Sequence, residues 1–144
     1  MTDDRETAPS HDQRRAHGLA AYAKIFAVPE EQVPAEFTDR VGPVFAEEAL
    51  QAAGGAWTSP ALTPRERSVA VLTALTAQGL SGDRLRTHLD LARLHGHDDD
   101  SLTALMVLLA GYLGYPRTSV AMEAVHTTTS SGTTAVAPGR PAAT

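Results

Sequence analysis

Residues 63–122 of this chain read TPRERSVAVLTALTAQGLSGDRLRTHLDLARLHGHDDDSLTALMVLLAGYLGYPRTSVAM. Apolar residues recur there at intervals of three and four, which is the period of an amphipathic helix. Glycines interrupt the pattern, and residues suited to a helix start follow each interruption. The segment therefore predicts four closely connected helices. No stretch shows the alternation of apolar and polar residues that is typical of a strand. The predicted fold class is therefore all-α.

Capping residues assign the boundaries of the first of these helices. Thr63 and Glu66 have the spacing of a Ser/Thr-x-x-Glu capping box, and Pro64 occupies the favoured first helical position. Gly79 is placed to end this helix. Ser81 is the expected cap of the second helix.

The third helix of the segment is the most apolar. It starts in the acidic cluster at residues 98–100, which favours a helix N-terminus, and ends at Gly114. Between Leu102 and Leu113 apolar side chains occur on every side, which predicts a central buried helix. The fourth helix is expected to begin at Pro116.

Two further helices are predicted upstream of this segment. The first spans residues 13–27, and the second, near residues 37–50, contains Gly42-Pro43, which must kink it or split it in two. The stretch AAGGAWTSPAL at residues 52–62 is rich in helix breakers and is expected to be a loop that carries Trp57. The whole chain thus predicts a bundle of about six helices.

The ends of the chain lack the apolar periodicity of the middle. Residues 1–12 are polar and acidic, and residues 127–144 are a low-complexity tail, so both are expected to be disordered. A single all-helical domain is predicted between them, over residues 13–126. Its length suits one modest hydrophobic core.

Composition limits the partners and the chemistry of the protein. The formal net charge is −5 and no run of lysine or arginine occurs, which argues against sequence-independent binding of nucleic acid. No apolar run approaches the roughly 20 residues that span a bilayer, and no signal segment is recognised, so a cytoplasmic protein with no membrane partner is expected. The absence of cysteine excludes thiol chemistry.

His88 is the first candidate for a catalytic role. It shares a face of the second predicted helix with Leu85 and Ala92, and Arg84, one turn earlier, can join that face. An imidazole can act as general acid or base there because its ordinary pKa lies near neutrality. The alternative is a core histidine with one hydrogen bond.

Arg67, Tyr112 and Trp57 are the other candidates. Arg67 could hold a substrate carboxylate through two hydrogen bonds, or it could extend to solvent or pair with an acid. The hydroxyl of Tyr112 needs a partner if the ring is internal. Trp57 could wall a pocket or simply plug the end of the bundle.

A cluster of metal-ligand residue types lies between the second and third helices. It contains His95, His97 and the acids at 98–100, and His126 adds another imidazole. These residues lack a recognised zinc spacing, and the acids suit the start of the next helix. A solvated loop is favoured, and no metal is expected.

Several motifs together resemble the conserved region of the carboxymuconolactone decarboxylase family. They are Trp57-Thr58-x-Pro60-x-Leu62 followed by Arg67-Ser68, the stretch LTALTAQG, Leu85-x-x-His88, and AGYLGYP at residues 110–116. Their order and spacing agree over residues 54–125. The resemblance implies an alkyl hydroperoxidase D-like helical fold that assembles into homo-oligomers, commonly trimers or hexamers, with sites near subunit contacts.

The resemblance also implies a chemistry. The decarboxylase branch converts a carboxylated muconolactone to an enol-lactone without a metal or an organic cofactor, so a small-molecule substrate is expected. By this likeness His88 is the general acid or base, Arg67 anchors the substrate carboxylate, and Trp57 and Tyr112 line the pocket. The sister branch uses a Cys-x-x-Cys pair that this chain lacks.

Two positions depart from the family pattern. Gly55 stands where relatives tend to have glutamate, and Leu108 stands where they often have histidine or glutamine, which makes the expected pocket drier and larger. Three interpretations follow: a decarboxylase-like enzyme acting on a small lactone or keto acid, a divergent enzyme for cyclisation, isomerisation or dehydration of a more apolar substrate, and a non-catalytic oligomeric scaffold.

Overall fold

The computed structural model describes residues 8–132, and every regular element in that range is helical. In chain order the elements are α1 (His11–Phe26), a 3-10 helix (Glu30–Gln32), α2 (Val33–Val41), α3 (Pro43–Thr58), α4 (Pro64–Ala77), α5 (Asp83–Leu94), α6 (Asp99–Leu113) and α7 (Tyr115–Gly132). The predicted all-α class is confirmed.

The terminal helices extend beyond the boundaries predicted for the domain. Helix α1 begins at His11 because Ser10 and Gln13 form a capping box, and α7 continues to Gly132. Residues 1–7 and 133–144, for which the sequence predicts disorder, lie outside the described residues.

The chain divides into two compact units, Met1–Ser68 and Val69–Thr144, where the sequence predicts one domain. Each unit has its own hydrophobic cluster, which accounts for the division. The first cluster buries Val33, Phe37, Ala46 and Leu50. The second buries Leu72, Leu85, Leu89, Ala92, Leu102, Met106, Leu109, Ala121 and Val125.

Helices α1 and α3 of the first unit cross at two glycines. A Cβ atom added to Gly18 would lie 2.0 Å from the main-chain oxygen of Leu50, and one added to Gly54 would lie 2.0 Å from that of Arg14. On α1, Gly18 follows Arg14 by four residues. On α3, the residue facing Gly18 is Leu50, and it precedes Gly54, which faces Arg14, by four residues. The two helices are therefore antiparallel. Their backbones meet at a distance that a side chain would prevent.

This crossing corrects the predicted loop at residues 52–62. Helix α3 continues through Gly54 and Gly55 to Thr58, so Trp57 lies on a helix. Gly54 is present for close contact with α1 and does not break the helix. The split at Gly42-Pro43 is confirmed, because Gly42 has a φ of +82° and Pro43 is the first residue of α3.

The predicted caps of α4 are confirmed, and the predicted cap of α5 is wrong. The Thr63 N–H donates to Glu66 Oε2 at 2.7 Å, and the Glu66 N–H donates to Thr63 Oγ1 at 3.2 Å. Gly79 follows α4 with a φ of +70°. Helix α5 starts after Gly82, which makes no side-chain cap, because Ser81 lies one residue too early.

Helix α6 is not the buried helix that its composition predicts. Leu102, Met106 and Leu109 face the core of the second unit, whereas Leu108 and Tyr112 are 61% and 83% exposed. The packed face needs only part of the helix circumference, so the remaining apolar residues lie at the surface of the single chain. None of the helices in residues 8–132 is long and apolar enough to cross a membrane.

Arg93 connects three helices of the second unit and thereby fixes α5. Its Nη2 atom donates to Asp99 Oδ1 of α6 at 2.8 Å and to the main-chain oxygen of Val125 of α7 at 3.4 Å. Its Nη1 atom donates to Asp90 of its own helix at 3.3 Å. Charged hydrogen bonds of this kind restrain the position of α5, which carries His88.

Candidate functional site

His88 lies in the middle of α5, beside the core of the second unit. Leu85, Leu89 and Ala92 of the same helix are fully buried, and the His88 side chain is half-buried next to them. Burial disfavours the imidazolium ion and lowers the pKa of His88 below the ordinary value of 6.5. The neutral imidazole is therefore the main form at pH 7, and it can accept a proton.

Arg84 lies one turn before His88 and is exposed. The first turn of α5 also holds Asp83, which accepts a hydrogen bond from Arg86 at 3.2 Å. Arg84 thus sits at the surface end of the His88 face, where a substrate carboxylate could meet it.

Arg67 occupies the first turn of α4 and contacts the loop before that helix. Its Nη1 atom donates to the main-chain oxygens of Ser59 and Leu62, each at 2.7 Å. The guanidinium is therefore held against this loop, and its Nη1 atom donates to main-chain carbonyls and not to a carboxylate. Its Nε and Nη2 edge has the geometry to bind a carboxylate through two parallel hydrogen bonds.

The other predicted pocket residues lie on α3 and α6. Trp57 is half-buried in the last turn of α3, in the same unit as Arg67. Leu108 and Tyr112 are four residues apart and share one exposed face of α6, in the same unit as His88 and Arg84. Tyr112 therefore needs no buried partner for its hydroxyl in the single chain.

Three residues of the cluster between α5 and α6, His97, Asp98 and Asp99, have partners other than a metal. Asp98 caps α6, because its Oδ1 atom accepts from the Ser101 N–H at 2.8 Å, and Asp99 pairs with Arg93. His97 Nδ1 lies 3.2 Å from Ser101 Oγ. Across residues 8–132, no three histidine or acidic side chains are grouped so as to hold a metal ion.

A groove of about 460 Å³ runs between α6 and α7 of the second unit, and we call it the α6–α7 groove. Its surface is almost entirely apolar. His88 does not line it. The described lining residues are Met106, Val107, Ala110, Tyr115, Thr118, Ser119, Met122, Glu123 and His126.

The sequence contained one signal for this groove. Tyr115, Ser119, Met122 and His126 recur at intervals of three and four, which places them along a single face of a helix. The width of a groove between two helices depends on how far apart the helices pack. The spacing of residues along the chain does not determine that distance.

The sequence that forms these helices matches the model of one known family. The model of the Carboxymuconolactone decarboxylase family matches residues 43–127, more than half of the chain. The chain belongs to the carboxymuconolactone decarboxylase family. The resemblance seen in the motifs is thus confirmed, and the matched range contains Trp57, Arg67, His88 and Tyr112. No curated protein and no solved structure gives a significant match.

The two positions that depart from the carboxymuconolactone decarboxylase pattern differ in their surroundings. A Cβ atom at Gly55 would meet nothing within 4 Å, so the backbone there has room for a Cβ atom. Leu108 is exposed on α6, beside Tyr112. Neither position carries a polar side chain, and at neither position does the rest of the chain pack tightly against the residue.

Proposed function

We propose that this chain is a cofactor-independent enzyme of the carboxymuconolactone decarboxylase family that transfers a proton on a small lactone or keto acid. The half-buried His88, whose pKa burial lowers, carries this proposal. A titratable group shifted by desolvation is typical of a functional site. Such an enzyme would act in the cytoplasm and would bind neither nucleic acid nor membrane.

Arg67 is the proposed carboxylate-binding residue of the first unit. Its Nη1 atom is held by the carbonyls of Ser59 and Leu62, which reduces the entropy lost when the Nε and Nη2 edge binds an anion. Arg84, on the same helix as His88, is the proposed anchor for the carboxylate of a substrate bound at His88. Tyr112 and Leu108, in the same unit as His88, are the proposed apolar lining of the substrate site.

Decarboxylation of a carboxylated lactone is the first reaction to test. The bond between the ring carbon and the carboxylate breaks, CO₂ leaves, and the electron pair remains on the ring as a dienolate. The protonated form of His88 then donates a proton to the ring carbon next to the lactone carbonyl, which leaves the double bond of the enol-lactone at the carbon that lost CO₂, and His88 is reprotonated by water. Incubation of carboxymuconolactone with the purified chain should release CO₂, and no release at high protein concentration would exclude this reaction.

Isomerisation of a more apolar substrate is the second candidate. The lowered pKa of His88 keeps its imidazole neutral at pH 7, and a neutral imidazole removes a proton from carbon and returns it at another position. The apolar Leu108, where relatives often carry a polar residue, favours such a substrate. This reaction would release no CO₂ and would change only the position of a double bond.

The pH dependence of kcat/KM separates these two roles of His88. A base must be unprotonated, so isomerisation is expected at full rate near pH 7 and lost as the pH falls through the lowered pKa, below 6.5. An acid must be protonated, so decarboxylation is expected to increase as the pH falls into that range. A rate with no change between pH 5 and 7.5, on either type of substrate, would contradict a role for His88 in proton transfer.

We also propose that the protein is a homo-oligomer, a trimer or a hexamer, assembled through the exposed face of α6. Leu108 and Tyr112 leave an apolar surface that a second copy would cover, completing the proposed substrate site. Light scattering of the wild-type chain should give three or six times the monomer mass.

Charge on this face should prevent the assembly. Leu108→Asp and Tyr112→Asp are each expected to shift the protein toward monomer, because an unpaired carboxylate in an apolar interface is costly. Val44→Asp places the same charge on another exposed apolar position, on α3, and should leave the mass unchanged. A wild-type monomer at micromolar concentration would refute the proposal.

A further inference from the structure

The α6–α7 groove has the chemistry of a second binding site. We infer that it binds an organic cation, an ammonium group attached to an apolar body. This site is independent of the proton transfer proposed at His88, because His88 does not line the groove.

The walls of the groove favour an apolar body. Met106, Val107 and Ala110 form the α6 wall and contain no titratable group, and Met122 adds a second thioether from α7. Methionine side chains adapt to ligands of different shapes. The volume of about 460 Å³ lies in the range of small-molecule sites.

The sign of the head group follows from the charged residues at the groove. Glu123 is the one acidic residue among the described lining residues, and no lysine or arginine is among them. Glu123 and His126 are three residues apart on α7, so the carboxylate and the imidazole lie together toward one end of the groove. A carboxylate beside an apolar surface attracts an ammonium group and repels an anion, and the net charge of −5 adds to this preference.

A second copy of the chain is a less suitable occupant of this groove. Met106 and Ala110 of the groove precede Leu108 and Tyr112 by two residues each, and two residues turn an α-helix by about 200°. The proposed assembly face therefore lies on the opposite side of α6 from the groove. Assembly through Leu108 and Tyr112 leaves the groove open.

Three probes of equal length test the inference: n-octylammonium, 1-octanol and octanoate, with binding to the full chain measured by calorimetry at pH 7.5. Octylammonium is expected to bind best and octanoate worst. Glu123→Gln should weaken octylammonium binding about two- to fivefold and leave octanol binding unchanged. Ala110→Leu, which fills part of the groove, should weaken all three.

A matched variant and light scattering complete the test. Glu48→Gln removes an exposed carboxylate from α3 and should leave all three affinities unchanged. Equal affinity for the ammonium and the carboxylate, or no effect of Glu123→Gln, would overturn the inference. Binding that occurs only as the protein dissociates into monomers would also overturn it, because a second copy would then occupy the groove.

Discussion

Replacement of His88 by glutamine is expected to lower the turnover rate about 10²- to 10⁴-fold, which is the usual contribution of a general acid or base. Glutamine keeps a hydrogen-bonding side chain of similar reach but cannot take up and release a proton near pH 7. Steady-state rates of the wild type and the variant on the same substrate measure the effect. Far-UV circular dichroism establishes that the variant remains helical.

His97 provides the matched control for this experiment. It is also a half-buried histidine of the second unit, and its Nδ1 atom lies within hydrogen-bond distance of Ser101. His97→Gln is expected to change the rate by less than about twofold. If His88→Gln retains the wild-type rate, or if both variants lose activity equally, the proton-transfer role of His88 is wrong and the scaffold interpretation gains support.

Alanine at Gly18 or Gly54 is expected to destabilise the first unit by about 3 kcal/mol, at the upper end of the cost of overpacking. The new Cβ atom would lie 2.0 Å from a main-chain oxygen of the facing helix, so a backbone must move. This is a large part of the roughly 5–15 kcal/mol that stabilises a typical domain. Urea unfolding followed by the fluorescence of Trp57, the sole tryptophan, measures the loss.

Gly55 is the matched control for Gly54, because it lies next to it on α3 and a Cβ atom there meets nothing within 4 Å. Gly55→Ala is expected to stabilise the chain by up to about 1 kcal/mol, since alanine favours a helix more than glycine does. Equal unfolding free energies for Gly54→Ala and Gly55→Ala would show that α1 and α3 do not meet at their backbones.

Features with local causes were predictable from the sequence. The capping box of Thr63 and Glu66 and the left-handed Gly79 depend on residues that are adjacent in the chain, and the structure contains both. The separation of α2 from α3 at Gly42-Pro43 has a similarly local cause, because proline lacks an N–H and restricts the preceding residue.

Features with distant causes were not predictable in the same way. Gly54 suits a helix break and a close helix contact equally well, and the contact with Arg14, forty residues away, decides between them. The same decision places Trp57 on a helix. Helix α6 has apolar residues on all sides, so its sequence does not determine which face packs against the core. The positions of the neighbouring helices determine that face, and they leave Leu108 and Tyr112 exposed.

In the candidate site, too, some features were predictable from the sequence and others were not. The helical face of His88 was evident from Leu85 and Ala92, and burial of that face follows from it. The partners of Arg67 are main-chain oxygens of an irregular loop, for which side-chain patterns carry no signal. Family membership in turn rests on residues spread over 43–127, a range that contains every motif of the resemblance.

Incorporation of deuterium from solvent tests the central claim most directly. Carboxymuconolactone is incubated with the wild-type chain and with His88→Gln in D₂O, and the products are analysed by NMR. With the wild type we expect an enol-lactone that carries one deuteron at the ring carbon next to the lactone carbonyl, and with His88→Gln we expect almost none of this product. Deuterium at no carbon with the wild type, or equal deuterium with the variant, would contradict proton transfer by His88.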